Sequence, residues 1–172
     1  MKREAERIFA SLGSNCQNAV EMLEKAARGL EAMPEIAIVA ASGIYLTEPQ
    51  GYAAQPWFAN QILELASPLA PEALLERFLQ LETALGRRRD PALRFGPRDI
   101  DIDLLLYGER TSRGFCELPH PRMLQRAFVL CPLCEIAPEL ATGGKTVGEW
   151  LKKLDFRLVG NKIWQGNGTA GD

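Results

Sequence analysis

Between positions 99 and 104 the chain runs Asp-Ile-Asp-Ile-Asp-Leu. Such a strict two-residue alternation fits a strand, because successive strand side chains point to opposite faces. Ile100, Ile102 and Leu104 then face a core, while Asp99, Asp101 and Asp103 line the other side. Carboxylates stacked in this way repel one another, and no apolar burial is gained by placing them there. A hard divalent cation relieves the repulsion, and carboxylate oxygens are the ligands Mg²⁺ prefers. The plain alternative is an edge strand with a solvated polar face. The neighbourhood favours the cation: Arg87, Arg88, Arg89, Arg94 and Arg98 all fall within the twelve positions 87–98. Of the 20 basic residues 14 are Arg, whose planar fork grips phosphate or carboxylate oxygens in pairs. Phosphoryl transfer needs such a pairing of cations with a metal-holding row, since its catalysis is positioning and charge neutralisation.

The frame around this strand is α+β. Arg7 to Leu12 is a first strand ending at Gly13-Ser14-Asn15. A helix follows over Asn18 to Met33, with Val20, Leu23, Ala27 and Leu30 on its apolar face and Pro34 as its stop. Glu35 to Thr47 is rich in β-branched and aromatic residues and forms a second strand; Glu48 to Tyr52 is a loop, and Trp57 to Ala66 a third strand. Pro71 suits the first turn of a second helix, whose apolar face is Leu74, Leu75, Phe78, Leu81 and Leu85 and which ends at Gly86. Arg98 to Tyr107 is the fourth strand. The order βαββαβ is the ferredoxin-like split arrangement, an antiparallel sheet with packed helices. A C-terminal α/β extension completes it: short Pro-punctuated helices between Pro121 and Pro138, a helix near Thr146 to Leu154, and a strand or hairpin around Arg157 to Trp164. Residues 1–164 form a single domain, and 165–172 form a disordered tail, since GNGTAGD has little to bury.

At 172 residues and a net charge of −2, the chain has the size of one domain and no field that would draw it to nucleic acid or anionic lipid. No apolar run reaches the roughly 18 residues of a membrane span. The start lacks the apolar core of a signal peptide, so a cytoplasmic protein is expected; a monomer is the expected state. No G-x-x-x-x-G-K-[ST] loop occurs, so any nucleotide is held another way. The four cysteines suggest a rival: Cys116, His120, Cys131 and Cys134 nearly make the ligand count of a zinc site, and Cys131-Pro-Leu-Cys134 is a C-x-x-C. Their plain role is as small buried hydrophobes. A Mg²⁺-dependent nucleotidyl transferase is the other alternative.

Several stretches resemble one family in its own order. They are Leu12-Gly13-Ser14-Asn15, Tyr45-Leu46-Thr47-Glu48-Pro49, Gln55-Pro56-Trp57-Phe58-Ala59-Asn60 and Leu81-Glu82-Thr83-Ala84-Leu85-Gly86-Arg87. RFGPRDIDIDLLLYG from Arg94 to Gly108 and LPHPRMLQRAFVLCPLCEIAPEL from Leu118 to Leu140 complete the set. On these the chain resembles 6-hydroxymethyl-7,8-dihydropterin pyrophosphokinase. The resemblance implies transfer of pyrophosphate from ATP to the hydroxymethyl group of that pterin, giving AMP, in tetrahydrofolate biosynthesis.

It also implies roles by position. Asp101 and Asp103 match the pair that holds two Mg²⁺ ions. Arg87 and Arg89 match basic residues of a loop closing over ATP, and Arg98 matches an arginine on substrate or phosphate. Arg87, Arg98, Asp101 and Asp103 are thereby the catalytic set. His120 and Arg126 match ATP-phosphate contacts. Phe58 and Phe128 match two aromatics that sandwich the pterin, and Asn60, with help near Thr47, reads its polar edge. Phe58 and Asn60 are two apart on a strand and so share a face, as a stacking ring and an edge-reading amide must. Glu82 matches a family acid with no assigned step. The sequence departs from the family at Asp99, an added carboxylate, at Asp90, at Phe95 where Trp is frequent, and at Trp57. Where the family often has Asp, a large apolar side chain at Trp57 would suit a subunit contact if exposed.

Overall fold

The structure, a computed structural model, describes residues 5–48, 56–86 and 99–166. Arg87, Arg88, Arg89, Asp90, Arg94, Phe95 and Arg98 lie outside the described residues. The core runs β1 (Ile8–Ser14), α1 (Ala19–Glu31), β2 (Ala37–Ala41), β3 (Tyr45–Thr47), β4 (Phe58–Ala66), α2 (Pro71–Ala84) and β5 (Asp101–Tyr107). The expected second strand is thus two strands. They are separated at Ser42–Ile44, where the Gly43 amide donates to the Glu135 carboxylate at 2.7 Å. Both halves stay on β4, because Ser42 and Ile62 exchange two hydrogen bonds across the break. With β2 and β3 counted as one bent strand, the order β5-β1-β4-β2/β3 is the antiparallel ferredoxin-like sheet.

One face of this sheet is sealed by α1 and α2. Leu23, Ala26 and Leu30 of α1 and Leu74, Phe78 and Leu81 of α2 are buried against Ile8, Ala10, Leu12, Leu63, Ile102 and Leu104. Full burial of a side chain such as Leu74 or Phe78 contributes roughly 1.5–3 kcal/mol. Val20, expected on the apolar face of α1, is instead 44% exposed. It sits in the first turn, ahead of the stripe that Leu23 begins. Gly86 ends α2 at φ 92°, a left-handed conformation that glycine adopts at no steric cost, with its amide on the Thr83 carbonyl.

The opposite face is covered by the C-terminal extension. A single 3₁₀ turn (Met123–Gln125) leads into α3 (Ala127–Ile136); β6 (Ala141–Thr142), β7 (Lys145–Thr146), α4 (Val147–Leu151), β8 (Phe156–Val159) and β9 (Lys162–Gln165) follow. The expected series of short helices is therefore a 3₁₀ turn and one continuous helix that runs through Pro132. An internal proline costs about 3 kcal/mol. Burial of Val129, Leu130 and Leu133 against Phe9, Ile62 and Leu106 offsets it. Thr146 caps α4 by accepting the Glu149 amide at 3.2 Å. β9 pairs in parallel with β3, and β8 forms the far edge. Gln165, assigned from sequence to the tail, closes β9. Its side chain takes the Ala127 amide at 2.8 Å, and residues 167–172 lie outside the described set.

A bulge sets which residues of β5 face which layer. Ala10 pairs with Leu104 and Phe9 with Leu106, leaving Leu105 as the extra residue. Ahead of it Asp101 and Asp103 face the α3 side, whereas beyond it Leu106 does, and Tyr107 turns under α2 to donate to the Leu69 carbonyl at 2.6 Å. The bulge lets one strand present carboxylates at one end of that layer and apolar packing at the other.

Candidate active site

The strand registers place the site. Asp101 pairs with Gly13, Gly13 with Asn60, and Asn60 with Tyr45, so these four residues form one row across β5, β1, β4 and β3. The row lies on the α3 side of the sheet, at the end where β1 finishes and β4 and β5 begin. Strands are about 4.8 Å apart, so Asp101 and Asn60 stand roughly 10 Å from each other. Between them Gly13 has no side chain. A Cβ there would come within 3.6 Å of Asn60 Oδ1.

On one side of this gap are Asp101 and Asp103, both half-buried on one face of β5 as the alternation predicts. Asp99, expected to extend the row, lies in a bend two residues before the strand begins, so the continuous row is a pair. Two carboxylates suit Mg²⁺, which is usually bound by one or two carboxylates together with substrate phosphates and water. Among the described residues no group of three His, Cys, Asp or Glu side chains could hold a metal ion by itself.

On the other side, Phe58 pairs with Thr47 and the Asn60 amide donates to Thr47 Oγ1 at 3.2 Å and to the Tyr45 carbonyl at 3.4 Å. Thr47 and Asn60 are buried and Phe58 is half-buried. Thr47 therefore fixes the amide's orientation. Phe128 is half-buried at the start of α3, where it touches both apolar clusters on that side, and the Arg126 guanidinium lies 5.4 Å from its ring centre.

A cleft of about 480 Å³ adjoins Asp103. Leu75, Phe115 and Cys116 line one part of it, and Asp103, His120 and Arg126 the other. His120 is carried there by β5 itself, since its amide donates to the carbonyl of the bulged Leu105 at 2.9 Å. Burial, with the charges of Arg126 and Arg122 beside it, pushes the imidazole down to about 4, so it is neutral at pH 7. Its Nδ1 accepts the Arg122 amide at 3.2 Å, which leaves the proton on Nε2 as a donor.

The four zinc-candidate residues do not converge. Cys116 packs in the core under α1 and α2, whereas Cys131 and Cys134 pack on the opposite side of the sheet. All three thiols, and Cys16, are free. Trp57 is half-buried, edge-on to Trp164 with ring centres 5.6 Å apart. Sequence reasoning missed the place of Gly13 in the row. A glycine inside a strand was the available signal, since it marks a close approach by something else.

A carboxylate pair beside a cleft that carries Arg122, Arg126 and His120, on one end of a ferredoxin-like sheet, fits an enzyme that handles phosphate groups. The profile of the 7,8-dihydro-6-hydroxymethylpterin-pyrophosphokinase (HPPK) family matches residues 9–138, and the chain belongs to that family. It is 47% identical over 150 residues to a 2-amino-4-hydroxy-6-hydroxymethyldihydropteridine pyrophosphokinase of Methylorubrum extorquens, covering 87% of this chain and 94% of that one. A Pseudomonas aeruginosa protein of the same description is 41% identical over 156 residues, with 90% and 95% covered. Among solved structures, the Plasmodium falciparum HPPK-DHPS superposes with a TM-score of 0.68 at 11% identity, over 95% of this chain and 51% of that one. This chain thus spans about half of that protein, and at such identity the likeness shows the fold.

Proposed function

We propose that this site carries out its family's reaction, in which the hydroxymethyl oxygen of 6-hydroxymethyl-7,8-dihydropterin attacks the β-phosphorus of ATP and AMP leaves. The single observation behind the residue assignment is the row Asp101–Gly13–Asn60–Tyr45. It sets a carboxylate pair and an edge-reading amide on one face with an open gap between them. The pterin ring lies against Phe58 and Phe128, and its polar edge meets Asn60, held by Thr47. Over Gly13 its hydroxymethyl arm reaches toward the carboxylates. ATP lies in the cleft, with its base toward Leu75 and Phe115 and its phosphates toward His120 and Arg126. Nε2–H of neutral His120 donates to a phosphate oxygen, and Arg126 supplies the charge.

Asp101 and Asp103 would hold two Mg²⁺ ions. Bound there, the metal offsets the charge that develops on the attacking and leaving oxygens. Arg87, Arg89 and Arg98, outside the described residues, are assigned to the phosphates by the resemblance alone. Holding both substrates in line across one row is the main contribution of the chain. The proposed working unit is a monomer acting in the cytoplasm. Among the described residues no helix is long and apolar enough to cross a membrane.

The test is a product assay with MgATP and the pterin. AMP formed in step with pterin pyrophosphate supports the reading. Release of inorganic pyrophosphate instead would point to nucleotidyl transfer, and no AMP from folded protein would overturn it.

A further inference from the structure

Glu82 is 3% exposed, in the last turn of α2. That is a costly place for a carboxylate: burial disfavours its charge, and the C-terminal end of a helix dipole repels it. Its Oε1 accepts a hydrogen bond from the Ile102 amide at 2.7 Å. Ile102 stands between Asp101 and Asp103, and its own side chain is buried under α2. β5 is the outer strand of the sheet, with β1 on one side only, so an N–H turned away from β1 has no further strand to meet. The bond lies at the first turn of the ladder, where β5 emerges from residues 99 and 100 and has least support from its own pairing.

We propose that Glu82 is a positioning residue: its carboxylate fixes the Ile102 amide and thereby the aim of the two flanking aspartates. A hydrogen bond at one backbone point restrains both neighbours, because Asp101 and Asp103 leave the same short stretch of chain on the same face. Without it, a buried amide is unsatisfied and the end of an edge strand is freed, and the two carboxylates lose their common geometry before the fold is lost. The inference rests on the metal-holding role of Asp101 and Asp103 proposed above. It adds that an acceptor atom on α2, on the far side of the backbone from the substrates, sets the metal requirement.

The experiment compares Glu82→Gln, which keeps an acceptor oxygen, with Glu82→Leu, which keeps the volume and removes the acceptor. Mn²⁺ binding in the presence of a non-hydrolysable ATP analogue is measured by electron paramagnetic resonance. The Mg²⁺ concentration for half-maximal rate is measured at saturating substrates, and exchange of the Ile102 amide by NMR. Glu82→Leu is expected to weaken Mn²⁺ binding and raise the Mg²⁺ requirement at least tenfold, with faster Ile102 exchange, while Glu82→Gln stays within about threefold of the parent. Unchanged metal binding in a folded Glu82→Leu protein overturns the proposal. So does a Glu82→Gln protein with faster Ile102 exchange and unchanged metal binding, and that arm decides the matter if the Leu variant does not fold. Asp103→Asn is run alongside. If it too binds Mn²⁺ as the parent does, the metal reading has failed; if it alone loses binding, only the role of Glu82 has.

Discussion

The two faces of the central sheet are built from the same strands and do opposite work. Under α1 and α2, alternate residues of β1, β4 and β5 are Leu12, Leu63, Ile102 and Leu104, closed over by two helices. On the other face, at the open end of the same strands, the intervening residues are Gly13, Asn60, Asp101 and Asp103. The period of 2 in a strand makes this division possible: a chain can spend one set of positions on stability and the interleaved set on chemistry. Two features maintain the contrast. The Leu105 bulge returns β5 to apolar packing beyond the carboxylates, and on β1, β4 and β5 α3 packs against Phe9, Ile62 and Leu106.

If the faces are as separate as this, damage to one should leave the other intact. Asp103→Ala should lower AMP formation by about 10³-fold, the scale of losing a principal charge-stabilising group, with the urea unfolding midpoint nearly unchanged. A large loss of stability would mean the polar face also holds the fold. Leu74→Ala should do the reverse, costing about 3 kcal/mol in urea denaturation while the remaining folded protein turns over at the parental rate. A lower rate per folded molecule would show that the core tunes the site.

Gly13→Ala sharpens the comparison, because among the described residues the added Cβ meets only Asn60 Oδ1, at an ordinary 3.6 Å. Unfolding should shift by less than about 1 kcal/mol, within the usual range for Gly-to-Ala exchanges at compatible sites. Pterin KM should rise about tenfold, measured in the product assay. A parental KM would show that the gap over Gly13 is not used.

Acid pH probes His120. Its imidazole is held down to about 4 against an ordinary value near 6.5, so between these values the unfolded chain takes up a proton that the folded chain refuses. Its contribution to stability is complete above about pH 6.5 and is lost as pH falls toward 4. Urea unfolding of the parent and of His120→Gln, measured from pH 7.5 to 4, should therefore converge on the acid side. Parallel curves would place the ring in a more solvated setting.

Much of this was legible without coordinates. The alternation from Asp101 to Leu104 carries both the strand and the division of its faces, since strand geometry is local. Pro71, Gly86 and the spacing of Leu74, Phe78 and Leu81 mark α2 for the same reason. The pair Phe58 and Asn60 shares a face because two residues on a strand must. The break at Ser42–Ile44 was not legible, as its cause is Glu135, a residue from α3 that meets Gly43 only in the fold. Nor was the helix through Pro132, where tertiary burial outweighs a local cost.

What the sequence determined by itself, then, is which residues can share a face: periodicity is a property of adjacent bonds. What only the tertiary structure decided is which faces meet. Asp101, Gly13, Asn60 and Tyr45 form a row because antiparallel registers join strands far apart in the chain, and no local pattern states a register. The Leu105 bulge and the bond from Ile102 to Glu82 belong to the same class. Each depends on how separate segments pack, and that is fixed by the shared burial of side chains from both.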